Sequence, residues 1–157
     1  NDGFIELAET NETGNLVGLK HYDLHYHGMG NRAKSEIREV TSKIVNYAIS
    51  VGKDIVIEDL DFKGSKAEIT KAKSDQGKAY NKMIHAFDYS RYKETFENCC
   101  FKRNVNLIQV NPAYTSKIAK QKYCDKKKLV IHQGASYVIA RRGQGFADEY
   151  ISKKKSS

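Results

Sequence analysis

The chain has 157 residues and a formal net charge of +8, from 27 lysines and arginines against 19 aspartates and glutamates. That length fits one ordinary domain with a real core, and ten tyrosines with six phenylalanines exclude the aromatic-poor composition of a disordered chain. No run reaches the apolar length of a spanning helix, and the opening NDGFIELAET has neither the basic nor the apolar region of a signal peptide, so a cytosolic protein is expected.

The basic excess favours a polyanionic partner, and nucleic acid fits better than an acidic membrane surface. Three cysteines, Cys99, Cys100 and Cys124, are odd in number and form no paired metal motif, which predicts ordinary reduced thiols. The chain begins inside what reads as a strand, as an excised piece of something longer would.

In chain order, Phe4 to Ala8 is a short apolar-rich segment, Glu9 to Asn15 a turn cluster, and Leu16 to Leu24 a second loosely alternating run. These predict an antiparallel hairpin, which a third strand through Leu24 to His27 could continue before Gly28, Gly30 and Asn31 break it. From Arg32 to Val51, Ile37, Val40, Ile44, Ala48 and Val51 recur at three- and four-residue steps, one face of a helix. Gly52 ends it. The consecutive β-branched Ile55, Val56 and Ile57 then predict a strand buried on both faces, with Glu58 at its C-terminal edge.

Lys63 to Lys78 is basic and glycine-bearing, a loop with a short helical piece. Tyr80 to Phe101 reads as a second long helix, its buried stripe made by Met83, Ile84, Phe87, Tyr92, Phe96 and Cys99 or Cys100. Val105 to Val110 forms another strand, stopped by Asn111-Pro112 because proline cannot donate to a sheet ladder. A polar, lysine-heavy segment runs to Lys128. Leu129 to Arg142 is a last helix with Ile131, Ala135, Val138 and Ile139 on one face, and Ser152 to Ser157 is a basic tail after a domain spanning residues 1–150.

Hairpin, helix, strand, helix, strand, helix is the element order of a ribonuclease-H-like α/β domain with a mixed sheet flanked by helices. In open α/β sheets ligands bind beyond the carboxyl ends of the strands, so a strand-end Glu58 is placed for metal or acid–base chemistry; its plain alternative is a residue that solvates a strand end.

Four collinear stretches carry a family likeness: IVIEDLDF (Ile55 to Phe62), FDYSRYKETFE (Phe87 to Glu97), VNPAYTSKIAKQKY (Val110 to Tyr123) and IHQGASYVIARRGQGF (Ile131 to Phe146). Together they resemble the RuvC-type nuclease domain of TnpB-like, OrfB-type proteins encoded by bacterial insertion sequences, over nearly the whole chain. The resemblance implies a divalent-metal-dependent DNA endonuclease of a bacterial mobile element, active in the cytoplasm near the nucleoid. It also implies kinship with type V CRISPR effectors and guidance by RNA in the full-length context. Glu58 matches the family's second catalytic carboxylate, a ligand for Mg²⁺ or Mn²⁺. Phosphodiester hydrolysis by two such ions about 4 Å apart needs several hard oxygen donors converging on one spot.

Three departures accompany the likeness. The family's leading aspartate would fall just before Asn1, with Asp2 the nearest acid and more simply a turn or strand-end residue. Where the family has its last aspartate this chain has His132, which either binds metal or serves as acid or base, or is a helix-start histidine without metal function. Asp59, Asp61, Asp148 and Glu149 are weaker substitutes. Between Ser116 and Leu129, where many relatives carry a four-cysteine zinc ribbon, only Cys124 stands, so no zinc is expected and the likeness is to a ribbon-less branch.

Lys63, Lys66, Lys71, Lys73, Lys78 and Lys82 follow Glu58 and are candidates to reach flanking phosphates, against the plain reading of a solvated basic loop. Arg91, with Tyr89 and Tyr92, is suited to an unpaired base, although tyrosines at helical spacing more often face a core. Thr115 and Ser116 either orient phosphate or cap the next segment. Arg141 and Arg142 are explained by the dipole of the helix they end.

Two further functions compete with the nuclease: a nucleic-acid-binding regulator on a nuclease scaffold that no longer cuts, and a domain that only holds partner segments. The 157 residues alone are expected to cleave poorly, for want of one acid.

Overall fold

A computed structural model describes residues 3–26, 28, 30–60 and 76–151, with the backbone alone described for residues 76–88. The chain is mixed α/β. Its elements are β1 (Phe4–Thr10), β2 (Leu16–Asp23), α1 (Asn31–Val51), β3 (Ile55–Glu58), α2 (Gln76–Arg103), β4 (Leu107–Val110), α3 (Thr115–Lys122), α4 (Cys124–Lys127) and α5 (Ile131–Gly143). They gather into two compact units, one built from residues 1–4 and 22–111, the other from residues 5–21 and 112–157. The sheets are two-stranded pairs, β1 with β2 and β3 with β4.

In the first unit α1 packs on α2; Ile37, Val40, Thr41, Ile44, Val45 and Ala48 are buried on α1, and Phe96 and Cys100 on α2. Val51, expected on this stripe, is 36% exposed, and Val45 is fully buried in its stead. Its place on the last turn explains this, because the chain turns away at Gly52. That glycine takes a left-handed φ of 66°, which lets its own N–H reach Ile49 O and that of Lys53 reach Ala48 O. At the other end of α1 the Glu36 carboxylate accepts the backbone N–H groups of His25 and Tyr26, at 2.7 and 3.0 Å.

Residues 24–26 lie in no strand, so the third strand expected through Leu24 to His27 does not form over them, and His27 lies outside the described residues. β3 and β4 run parallel in the register Ile55 to Leu107, Val56 to Ile108, Ile57 to Gln109 and Glu58 to Val110. A parallel pair needs a crossover, and α2 provides it. Ile55 is buried, but Val56 and Ile57 are only half-buried, unlike the strand covered on both faces that their run predicted.

In the second unit β1 and β2 form the expected hairpin, its turn knotted by Asn11, whose Oδ1 accepts the N–H groups of Thr13 and Asn15. Gly14 takes φ 80° there. Helix α5 lies along the hairpin: the Ser136 hydroxyl donates to Glu6 O, the Tyr137 hydroxyl to Gly14 O at 2.8 Å, and the Gln144 amide to Asn11 O.

The polar, lysine-heavy segment, for which the sequence reading named no element, is helical. Thr115, Ile118 and Ala119 recur at helical spacing, and Ile118 and Ala119 form a buried cluster with Val138 of α5. The buried face of α5 is Gly134, Tyr137 and Val138, rotated from the expected one, and Ile131 is 38% exposed. Close approach causes the rotation: a side chain at Gly134 would come within 2.7 Å of Cys124 Sγ and 2.8 Å of Ala119 Cβ. The tail, residues 152–157, lies outside the described residues.

Candidate functional site

Glu58 is the last residue of β3, held there by both neighbours of its strand end. The Asp59 N–H donates to Val110 O at 2.7 Å, which extends the parallel ladder one step past Glu58, and the Tyr89 hydroxyl of α2 donates to the Glu58 carbonyl. The position is thus set by backbone bonds on two sides, leaving the carboxylate uncommitted: among the described residues no side chain or backbone donor meets it. Burial raises its carboxyl above the usual carboxylate range. Desolvation without a compensating cation is costly for a carboxylate, and a bound cation would reverse that cost.

The other candidates of the first unit have defined places. Asp59 pairs with Lys93 at 3.6 Å. Arg91 is half-buried and donates to Gly28 O, which fixes the chain ahead of α1. Tyr89 and Tyr92 are half-buried as well. Asp61, Lys63, Lys66, Lys71 and Lys73 lie outside the described residues, as do the side chains of Lys78 and Lys82, whose backbone belongs to α2.

In the second unit His132 is exposed on the first turn of α5. Glu149 is exposed too. Asp148 is committed: its carboxylate accepts Arg141 Nε at 2.7 Å and Nη2 at 3.3 Å, and the Tyr123 hydroxyl at 2.9 Å. Burial pushes the Asp148 carboxyl up, but the Arg141 and Tyr123 hydrogen bonds outweigh it and hold the group below its ordinary range. Arg141 also donates to Gly14 O at 2.9 Å, and its guanidinium lies over the rings of Tyr123, Tyr137 and Phe146 at 5.6, 5.9 and 4.6 Å. It is a structural hub, where the sequence offered only a helix-end cation. Arg142 donates to Ala113 O.

Thr115 is buried on the first turn of α3 with its hydroxyl donating to Pro112 O at 3.2 Å, which gives it a local structural bond. Among the described residues no three His, Cys, Asp or Glu side chains gather into one group. Glu58 offers a hard divalent ion one carboxylate, and among the described residues it belongs to no group of three such side chains. Two features escaped sequence reasoning: the Glu6–His21 contact across the hairpin at 2.5 Å, signalled only by strand pairing, and a pair of exposed tyrosines, Tyr114 and Tyr150. Among the described residues no helix is long and apolar enough to cross a membrane. No family model, curated protein or solved structure matches the chain.

Proposed function

We propose that the chain is a RuvC-like nuclease domain of ribonuclease-H-like fold, of the TnpB-like kind, which cuts DNA with Mg²⁺ or Mn²⁺ and is directed by RNA in its full-length context. The observation that carries this reading is the place of Glu58: within the family-like IVIEDLDF stretch, it ends a parallel strand as a half-buried carboxylate that no described donor meets. What a divalent ion supplies when bound is polarisation of phosphoryl oxygens and a more acidic water. Glu58 would hold that ion. The Tyr89 hydroxyl bond to the Glu58 carbonyl and the Asp59 N–H bond to Val110 O hold the backbone of the strand end that bears this ligand. Lys63, Lys66, Lys71, Lys73, Lys78, Lys82 and Arg91 would meet phosphates flanking the cleaved bond. The resemblance gives His132 a part as a metal ligand or a proton carrier.

His132 also favours a second reading, a nucleic-acid-binding regulator on this scaffold that does not cut, because Mg²⁺ prefers oxygen to imidazole. Cleavage of labelled single- and double-stranded DNA with Mg²⁺ or Mn²⁺, together with direct Mn²⁺ titration, separates the two. The nuclease reading expects slow metal-dependent cleavage, and Mn²⁺ binding that Glu58→Gln weakens at least about tenfold, the loss of one charged ligand being worth about 1.4 kcal/mol or more. DNA binding with Mn²⁺ affinity unchanged by Glu58→Gln would support the regulator instead.

A further inference from the structure

The second unit carries an exposed aromatic pair on its surface. Tyr114 and Tyr150 lie with ring centroids 5.8 Å apart and planes within 4° of parallel, and they remain 59% and 38% exposed. Lys117 Nζ stands 5.6 Å from the centroid of each ring. Both tyrosines are held in place by specific devices. Tyr114 caps α3 in a left-handed conformation, φ 61°, which L side chains rarely adopt and which its neighbours enforce: Thr115 N–H and hydroxyl both donate to Pro112 O. Tyr150 is fixed through the next residue, since the Gln121 side-chain amide donates to Ile151 O at 2.7 Å and accepts Ile151 N–H at 3.0 Å.

An exposed, pre-ordered pair of parallel rings with a cation beside it is matched to a flat, anionic guest. An unpaired nucleobase supplies the face, and its own phosphate supplies the charge for Lys117 and for the exposed Lys120 one turn further along α3. We propose that Tyr114, Tyr150 and Lys117 form a stacking platform for single-stranded DNA. The platform deepens the nuclease reading and rests on it for the choice of DNA: a strand separated for cutting exposes unpaired bases, and the platform holds one of them.

The test is binding in metal-free buffer, measured by fluorescence anisotropy with a thymidine oligomer and with an abasic oligomer of equal length and charge. The platform predicts a preference of about tenfold for the oligomer with bases, since stacking on one aromatic site is worth about that much. Tyr114→Ala should reduce this preference to about threefold or less, Tyr114→Phe should keep it, and Lys117→Ala should weaken both oligomers alike. Circular dichroism establishes that each variant is folded.

Equal binding of the two oligomers by the unaltered protein would overturn the proposal, as would a full preference retained in folded Tyr114→Ala and Tyr150→Ala. Tighter binding of a uridine RNA oligomer or of polyglutamate than of the thymidine oligomer would also overturn it. A base preference that depends on Tyr114 in a protein that neither binds Mn²⁺ through Glu58 nor cleaves would support the platform while removing the nuclease reading. Cleavage with no base preference would do the reverse.

Discussion

Asp148→Asn tests the hub of the second unit, because it removes one charge while keeping the shape and the Tyr123 hydrogen bond. The Arg141 and Asp148 side chains are 16% and 9% exposed, which makes this a largely buried pair. Removing one partner of a buried pair costs about 3–5 kcal/mol, since the other charge is left desolvated. Three aromatic faces and Gly14 O remain around Arg141, so the lower end, about 3 kcal/mol, is expected. For a chain of this size that corresponds to a fall in melting temperature of roughly 6–12 °C.

The measurement is thermal unfolding of both proteins at pH 7 and at several values down to pH 3. Asp148 has a lowered folded-state pKa, so its stabilisation is present above the ordinary aspartate value of 3.8 and is lost as pH falls through the folded value. The gap between the two proteins should therefore be full at pH 7 and shrink only below about pH 4. A fall of less than about 2 °C at pH 7, or a gap that is the same at pH 7 and pH 3, would refute the account of Asp148 as a buried, charge-compensating partner.

Glu58→Gln should stabilise the metal-free protein at pH 7. A raised folded-state pKa gives stability that is full below the ordinary glutamate value and is lost as pH rises through the folded value, so the variant's advantage should disappear near pH 4 and below, and a melt with no such pH dependence would count against it. Gly134→Ala should cost about 1–3 kcal/mol despite alanine's better helix propensity, because its Cβ meets Cys124 Sγ and Ala119 Cβ; a neutral or stabilising result in urea unfolding would show that α3 and α5 can part without cost. Cys100 is 1% exposed and its thiol is pushed up to about 11 by burial and by Cys99, so in an Ellman titration at pH 8 it should react far more slowly than the half-buried Cys99 and Cys124. Rapid labelling of all three thiols would contradict that. Ile44→Ala, at the centre of the buried stripe of α1, should cost about 2–5 kcal/mol in the same unfolding assay, and a cost under about 1 kcal/mol would place the core elsewhere.

Local pattern carried the α/β order and the strand-end place of Glu58. The α1 stripe, the β-branched run of β3 and the proline that stops β4 each write their structure into a few adjacent residues. What stayed hidden depends on residues far apart. Arg141 looked like a helix-end cation because Gly14, its carbonyl partner, lies at the other end of the sequence, and Tyr114 and Tyr150, which stack, are 36 residues apart. Helix α3 was obscured by its lysines, although Thr115, Ile118 and Ala119 already carried its period.

The second unit is discontinuous, and this has a consequence for how the protein is made. Its hairpin leaves the ribosome before its partner helix, since Tyr137, whose hydroxyl bonds Gly14, follows 123 residues later. At about 5–20 residues per second the hairpin waits roughly 6–25 s for the helix that lies along it. A two-stranded ribbon is marginal alone and its edges invite pairing with other chains. Charged residues such as Glu9 and Lys20, one on each strand, oppose such pairing, and replacing them with apolar residues should lower soluble yield during synthesis before it alters the finished fold.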